Sequence, residues 1–276
     1  VRSFRPLLTE VKRLKEQAKT ALPQAKPDIL RRLEADPTLA MTAAGLTPDP
    51  WQRELIRSTA RQIAVLCTRR AGKSQGVAGK VLARCLTKPR EYVLVFSPTE
   101  DQSKEFLSLV REGNEALGCP VPLIRESLTE LAWANGSRIK AKADSPRGSR
   151  GATPTVVVID EGAQASDELY LSLRPMMILG KVEMIILSTP FGKLGWFFDI
   201  WDKPAKLAAW KTFLVTADEC PRIDRAILEE HRQTMPTNWF MQEYYCQFND
   251  AVDAVFSKVV IDRAERADEL YLPISL

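Results

Sequence analysis

The chain has 276 residues, 45% hydrophobic and 27% charged, an ordinary globular composition with length for one large domain or one domain with appendages. Lys and Arg number 39 against 35 Asp and Glu, a net charge of +4 that permits a nucleic-acid partner without requiring one. Five scattered cysteines with no CxxC pair and a lone histidine, His231, leave almost no material for a disulfide framework, a zinc site or a Ser-His-Asp triad, and no apolar stretch approaches the ~20 residues that span a bilayer. A soluble, intracellular chain with no membrane partner is expected.

In chain order, residues 5–22 set Leu7, Val11, Leu14, Ala18 and Leu22 at steps of four and three, which predicts an amphipathic helix with a basic outer face. Pro23, Pro27 and Pro37 break the next stretch into short pieces, and "GLTPDP" reads as a connection. "WQRELIRSTA" predicts a helix, "QIAVLC" a strand, and residues 73–86 a helix. "YVLVFSP" is a buried strand and "TEDQSKEFLSLVREGNEAL" a helix; "LTELAWANGSRIKAKA" carries Asn-Gly between two alternating runs, a hairpin signal. "TVVVID" and "VEMIILS" are continuous apolar strands, and residues 221–248 are mostly helical in pattern. Continuous strands separated by helices imply a parallel sheet covered on both faces, an α/β fold.

The chemistry begins at "CTRRAGKS", residues 67–74, directly after a predicted strand. Ala71 and Gly72 let backbone N–H groups wrap phosphates, Lys73 reaches the β/γ oxygens, and the Ser74 hydroxyl holds Mg²⁺. Where the GxxxxGK[ST] pattern has its first glycine, this chain has Cys67. The second element is "VVVIDEG", which puts Asp160 and Glu161 at the C-terminal end of a buried strand, where open α/β sheets bind ligands. Asp160 is placed to organise Mg²⁺ and Glu161 to polarise an attacking water. Upstream, Gln52 is placed to read an adenine edge, and Trp51 packs either beside the base or in the core. Ser188 and Thr189 end the strand "IILST", in position to sense the γ-phosphate or the water.

Together "PWQ", "CTRRAGKS", "VFSPTEDQS", "ADSPRGSRG", "VVVIDEGAQ", "LSTPFG" and "FMQEYYCQFNDAVDAVF" resemble, in order and over most of the chain, the ATPase domain of the large terminase subunit, the DNA-packaging motor of tailed bacteriophages. The resemblance implies a P-loop NTPase of the additional-strand, catalytic-glutamate type, with a mostly parallel central sheet flanked by helices and a small helical lid-like region. It divides the chain into an N-terminal helical segment (1–47), the ATPase core (48–215), the lid-like region (216–250) and a linker (251–276). It implies ATP and Mg²⁺ as cofactors, and a small residue in place of the first loop glycine. Arg69, with Arg70 as the alternative, would contact the nucleotide's phosphates. An arginine from an Arg-Gly pair, Arg150 or else Arg147, would reach a neighbouring subunit's ATP. The partners it implies are double-stranded DNA, a portal protein and a small terminase subunit, in a homo-oligomeric ring at work in the host cytoplasm. Family members generally continue into a nuclease domain with an acidic, metal-binding cluster; "ADELYLPISL" falls about where that domain would begin, so nuclease activity is not expected of this chain. Two rivals remain: a superfamily-2-like helicase, which lacks here a second RecA-like domain, and a nucleotide-gated assembly module with little turnover.

Overall fold

The structure, a computed structural model, describes residues 26–145, 151–178 and 180–250. The predicted helix over 5–22, the Arg147 and Arg150 pair and the 251–276 linker lie outside the described residues. Two short helices, α1 (Pro27–Ala35) and α2 (Leu39–Thr42), lead into α3 (Pro50–Arg57). Asp49 caps α3 in a capping box with Gln52, and Pro50 opens it at a position where a missing N–H costs nothing. The core then alternates: β1 (Gln62–Cys67), α4 (Lys73–Thr87), β2 (Tyr92–Ser97) and α5 (Glu100–Ala116). The antiparallel strands β3 (Leu123–Glu126), β4 (Glu130–Trp133) and β5 (Arg138–Ala143) follow, then β6 (Val156–Asp160), α6 (Asp167–Leu173) and β7 (Glu183–Ser188). Helices α7 (Gly195–Asp202) and α8 (Pro204–Leu207), strand β8 (Lys211–Val215), and helices α9 (Arg225–Thr234) and α10 (Thr237–Tyr245) complete it.

The eight strands form one sheet in the order β3-β4-β5-β2-β6-β7-β1-β8. From β5 to β8 all pairs are parallel; only β3-β4 and β4-β5 are antiparallel. The continuous apolar strands are split between two cores by the two-residue period of a strand. Ile63, Val65, Val93, Val95, Val156, Val158, Ile185 and Leu187 pack on one face, under α4 and α5. Ala64, Leu66, Leu94, Phe96, Val157, Ile159, Met184 and Ile186 pack on the other, with residues of α6 and α7.

Helix α4 is buried along most of its length. It passes so close to α2 that a Cβ on Gly79 would sit 3.0 Å from Met41 Cγ. Leu33, Ala40 and Met41 of α1 and α2 are themselves buried, so these two helices are continuous with the core. The Asn-Gly signal does mark a hairpin: Gly136 takes φ 86°, and Asn135 Nδ2 donates to the carbonyl of Cys85, 2.8 Å away near the end of α4. Strand β8 went unread in the sequence, because "KTFLV" is a half-exposed edge strand with little apolar continuity.

Candidate nucleotide site

Strand β1 delivers the loop. Cys67 is still in the strand and wholly buried, so its backbone has no need of glycine. The left-handed turns come later, at Arg70 (φ 61°) and Gly72 (φ 78°). Burial pushes the Cys67 thiol up, and it acts as a small apolar side chain packed with Ile63 and Val65.

Several contacts hold the loop from outside. Thr68 N donates to the Val215 carbonyl at 2.8 Å, and Thr68 Oγ1 to the Glu243 carbonyl at 2.9 Å. The exposed Arg69 guanidinium pairs with the Glu243 carboxylate. Arg70 is exposed, and Ala71 buried. Arg222 Nη2 donates to the Ala71 carbonyl at 2.6 Å and pairs with Asp49 Oδ2 at 2.8 Å. Gln52 Nε2 donates to the Gly72 carbonyl at 2.9 Å.

At the start of α4 the loop meets the acids. Lys73 Nζ lies 2.7 Å from Glu161 Oε1. Burial works against the ammonium, but the Glu161 and Asp160 carboxylates outweigh it and hold Lys73 above the ordinary lysine range. Ser74 Oγ donates to Asp160 Oδ2 at 3.0 Å, and the other oxygen of Asp160 accepts from Glu161 N at 3.0 Å. Burial, then the neighbouring Glu161 charge, pushes Asp160 up to about 6. Glu161 itself takes φ 52°, ψ 48°, a left-handed turn that costs ~1–2 kcal/mol in a residue with a side chain. The turn leaves its carboxylate against Lys73.

Strand β7 lies between β1 and β6, which brings Ser188 to the acids. Its hydroxyl accepts from Ala163 N at 3.1 Å and donates to Glu161 Oε2 at 3.3 Å, while Thr189 N approaches the same oxygen at 3.5 Å. In this structure both residues therefore attend Glu161.

One upstream expectation takes a different form, and for Trp51 the core alternative is the one seen. The amide placed to read an adenine edge is fully buried and spent on main chain: Gln52 Oε1 accepts from Asp49 N at 2.8 Å while Nε2 holds the loop. Asp-x-x-Gln ahead of an apolar run is a capping-box signature, a signal available in the sequence. Trp51 packs against the core, with its Nε1 buried and unpartnered. Arg222 and Glu243 carried no local signal, since the loop residues they hold lie 151 and 175 positions away.

Among the described residues no three His, Cys, Asp or Glu side chains gather to hold a metal. One hydroxyl and one buried carboxylate 3.0 Å apart suit a hard cation that brings phosphate and water as its other ligands. Ser74 and Asp160 thus fit Mg²⁺.

A phosphate-type loop after one parallel strand, paired acids after another and helices on both faces define a P-loop NTPase fold. The chain belongs to the terminase large-subunit family: the family described as terminase large subunit, T4likevirus-type, N-terminal, matches residues 65–261. It is 28% identical to the large terminase subunit of Escherichia phage T5 over 239 residues, 82% of this chain and 52% of that protein. The chain thus spans about half the length of the curated relatives it matches. Among solved structures, the ATPase domain of the Thermus phage P74-26 large terminase matches with a TM-score of 0.65 at 23% identity, over 76% of this chain and 97% of that one. The large terminase of another thermophilic bacteriophage, solved in complex with ADP, matches with a TM-score of 0.60 at 13% identity, over 73% of this chain and 54% of that one. These structural likenesses speak for the fold.

Proposed function

We propose that this chain is the ATPase motor domain of a viral DNA-packaging terminase, hydrolysing ATP to move double-stranded DNA into a procapsid. The observation that carries the reading is the double junction of loop and acids, Lys73 on Glu161 at 2.7 Å and Ser74 on Asp160 at 3.0 Å. Family membership and the ADP and ATP-gamma-S complexes of the thermophilic-phage terminase support it.

The lysine–glutamate pair is the resting arrangement. A triphosphate carries more charge than one carboxylate, so its terminal phosphate displaces Glu161 as the partner of Lys73. The N–H groups at the start of α4 have no intrahelical acceptors and take up phosphate oxygens. Glu161, released from Lys73 and still contacted by Ser188 and Thr189, accepts a proton from the attacking water. Arg69 leaves Glu243 to neutralise phosphate charge. Arg150, or Arg147, does so from a neighbouring protomer in a ring, as the family resemblance implies. Mg²⁺, held by Ser74 and Asp160, supplies further charge neutralisation to the phosphates when bound. Ser188 and Thr189 link hydrolysis to strand β7, and the helical region after Thr216 moves as a lid. Double-stranded DNA is the substrate moved, and a portal protein and small terminase subunit are the partners, in the host cytoplasm.

Glu161→Gln tests this directly. Expected is ATP binding close to wild type with turnover lower by about 10²–10⁴-fold, read by steady-state hydrolysis with and without double-stranded DNA. Undiminished turnover would remove Glu161 as the base.

A further inference from the structure

The nucleotide reading assigns nothing to Arg222, yet this residue makes one of the shortest polar contacts in the loop. We propose that Arg222, together with Gln52, is a positioning residue that orients two successive peptide planes of the loop for phosphate binding. The proposal rests on the reading of 68–74 as a nucleotide loop.

In a trans peptide the C=O and N–H point in opposite directions. Arg222 Nη2 holds the Ala71 carbonyl at 2.6 Å, and Gln52 Nε2 holds the Gly72 carbonyl at 2.9 Å. With both carbonyls bonded to side chains, the N–H groups of Gly72 and Lys73 are turned away from Arg222 and Gln52. Glycine at 72 is needed twice. Its φ of 78° is left-handed, and an added Cβ would meet Gln52 Nε2 at 2.9 Å and Arg222 Nη2 at 3.1 Å.

The two clamps form one unit. Asp49, 7% exposed, pairs with Arg222 and caps α3, while its own N–H donates to Gln52 Oε1. Without that carboxylate the Arg222 guanidinium would have only a neutral carbonyl to hold it. Arg222 also lies between β8 and α9, at the head of the helical region. A shift of that region withdraws the guanidinium and frees the Ala71–Gly72 peptide to rotate, so lid position and phosphate affinity are linked through one side chain.

The test is ADP titration calorimetry and steady-state ATP hydrolysis on wild type, Arg222→Ala, Arg222→Lys and Lys73→Ala, each with a thermal melt. For Arg222→Ala we expect ADP affinity about tenfold weaker. The ATP KM should rise in step and kcat should stay within about twofold, while the melting temperature falls modestly because Asp49 loses its counter-charge but keeps its place in the capping box. Arg222→Lys, which keeps a charge but only one donor centre, should recover part of the affinity. ADP affinity equal to wild type in Arg222→Ala would overturn the assignment, as would a loss of kcat that tracks a lowered melting temperature. A wild-type chain that binds ADP no better than Lys73→Ala would overturn the nucleotide reading and this proposal with it.

Discussion

Helix α4 carries two lysine–glutamate pairs, one partly exposed and one buried, two turns and ~10 Å apart along its axis, at opposite ends of the strands. Lys73 meets Glu161 beyond the C-terminal end of β6; Lys80 meets Glu183 at the start of β7, 3.3 Å away. The chemical pair is the same, but the surroundings differ. Glu183 gives one oxygen to Lys80 and the other to Arg84, and Arg84 Nε also pairs with Glu91 at 3.0 Å. Lys80 also donates to the Ser58 carbonyl. Burial, with Arg84 and Lys88 adding to it, pulls Lys80 below the ordinary lysine range despite Glu183. At the other end one ammonium faces two carboxylates, and Lys73 is pushed up. A closed network of matched charges is structural. An excess of acid around a single lysine is exchangeable.

Four substitutions put this difference between the pairs at risk. The largest effect belongs to Glu161→Gln, whose loss of turnover by about 10²–10⁴-fold should leave denaturant stability close to wild type. Glu183→Gln should do the reverse. Removing one member of a buried charge network typically costs ~3–5 kcal/mol, so a urea melt should shift strongly while the folded fraction binds ADP as wild type does. Equal effects of the two substitutions on turnover would erase the distinction between the pairs.

Asp160→Asn should come next. Asp160 titrates near 6 in the fold, above the ~3.9 of a free aspartate. Between those values the folded chain retains a proton that the unfolded chain has released. This group's contribution to stability is therefore greatest below about pH 4 and declines as pH rises through 6. Without Mg²⁺ or nucleotide, the variant should be more stable than wild type at about pH 7.5, by about 2–3 kcal/mol, with the gap closing toward about pH 4. A gap independent of pH would remove Asp160 as its source. The smallest effect is expected of Glu243→Gln. The Arg69 side chain is 66% exposed although that of Glu243 is only 11%, and solvent screening of the guanidinium keeps the contribution of the pair small. Freed from its partner, Arg69 should raise ADP affinity by only about two- to fivefold, measurable by calorimetry and reduced by salt.

The α/β class, most strands and the candidate loop and acids were legible because each is a local pattern. Apolar runs report burial on both faces, and a loop that turns left-handed at Gly72 before a helix needs particular residues side by side. The odd cysteine was legible as a departure, but its harmlessness was not. Only the strand geometry shows that position 67 lies inside β1, where glycine has no advantage. The strand read between the two motifs, β2, lies outside them in space; it is β7, later in the chain, that separates β1 from β6 and carries Ser188 to Glu161. Gln52 could have been read as a capping-box residue from its spacing to Asp49, and its buried amide follows from that.

The chemical groups of the site, and the local turns that present them, were written in short stretches of residues: Gly72-Lys73-Ser74 opening a helix, Asp160-Glu161 closing a strand. Which of those groups face each other was left to the assembled fold. Arg222 reaches Ala71 across 151 positions and Thr68 reaches Glu243 across 175. Such contacts depend on the order in which strands join the sheet, and that order is set by the packing of whole layers, which no short window of residues encodes.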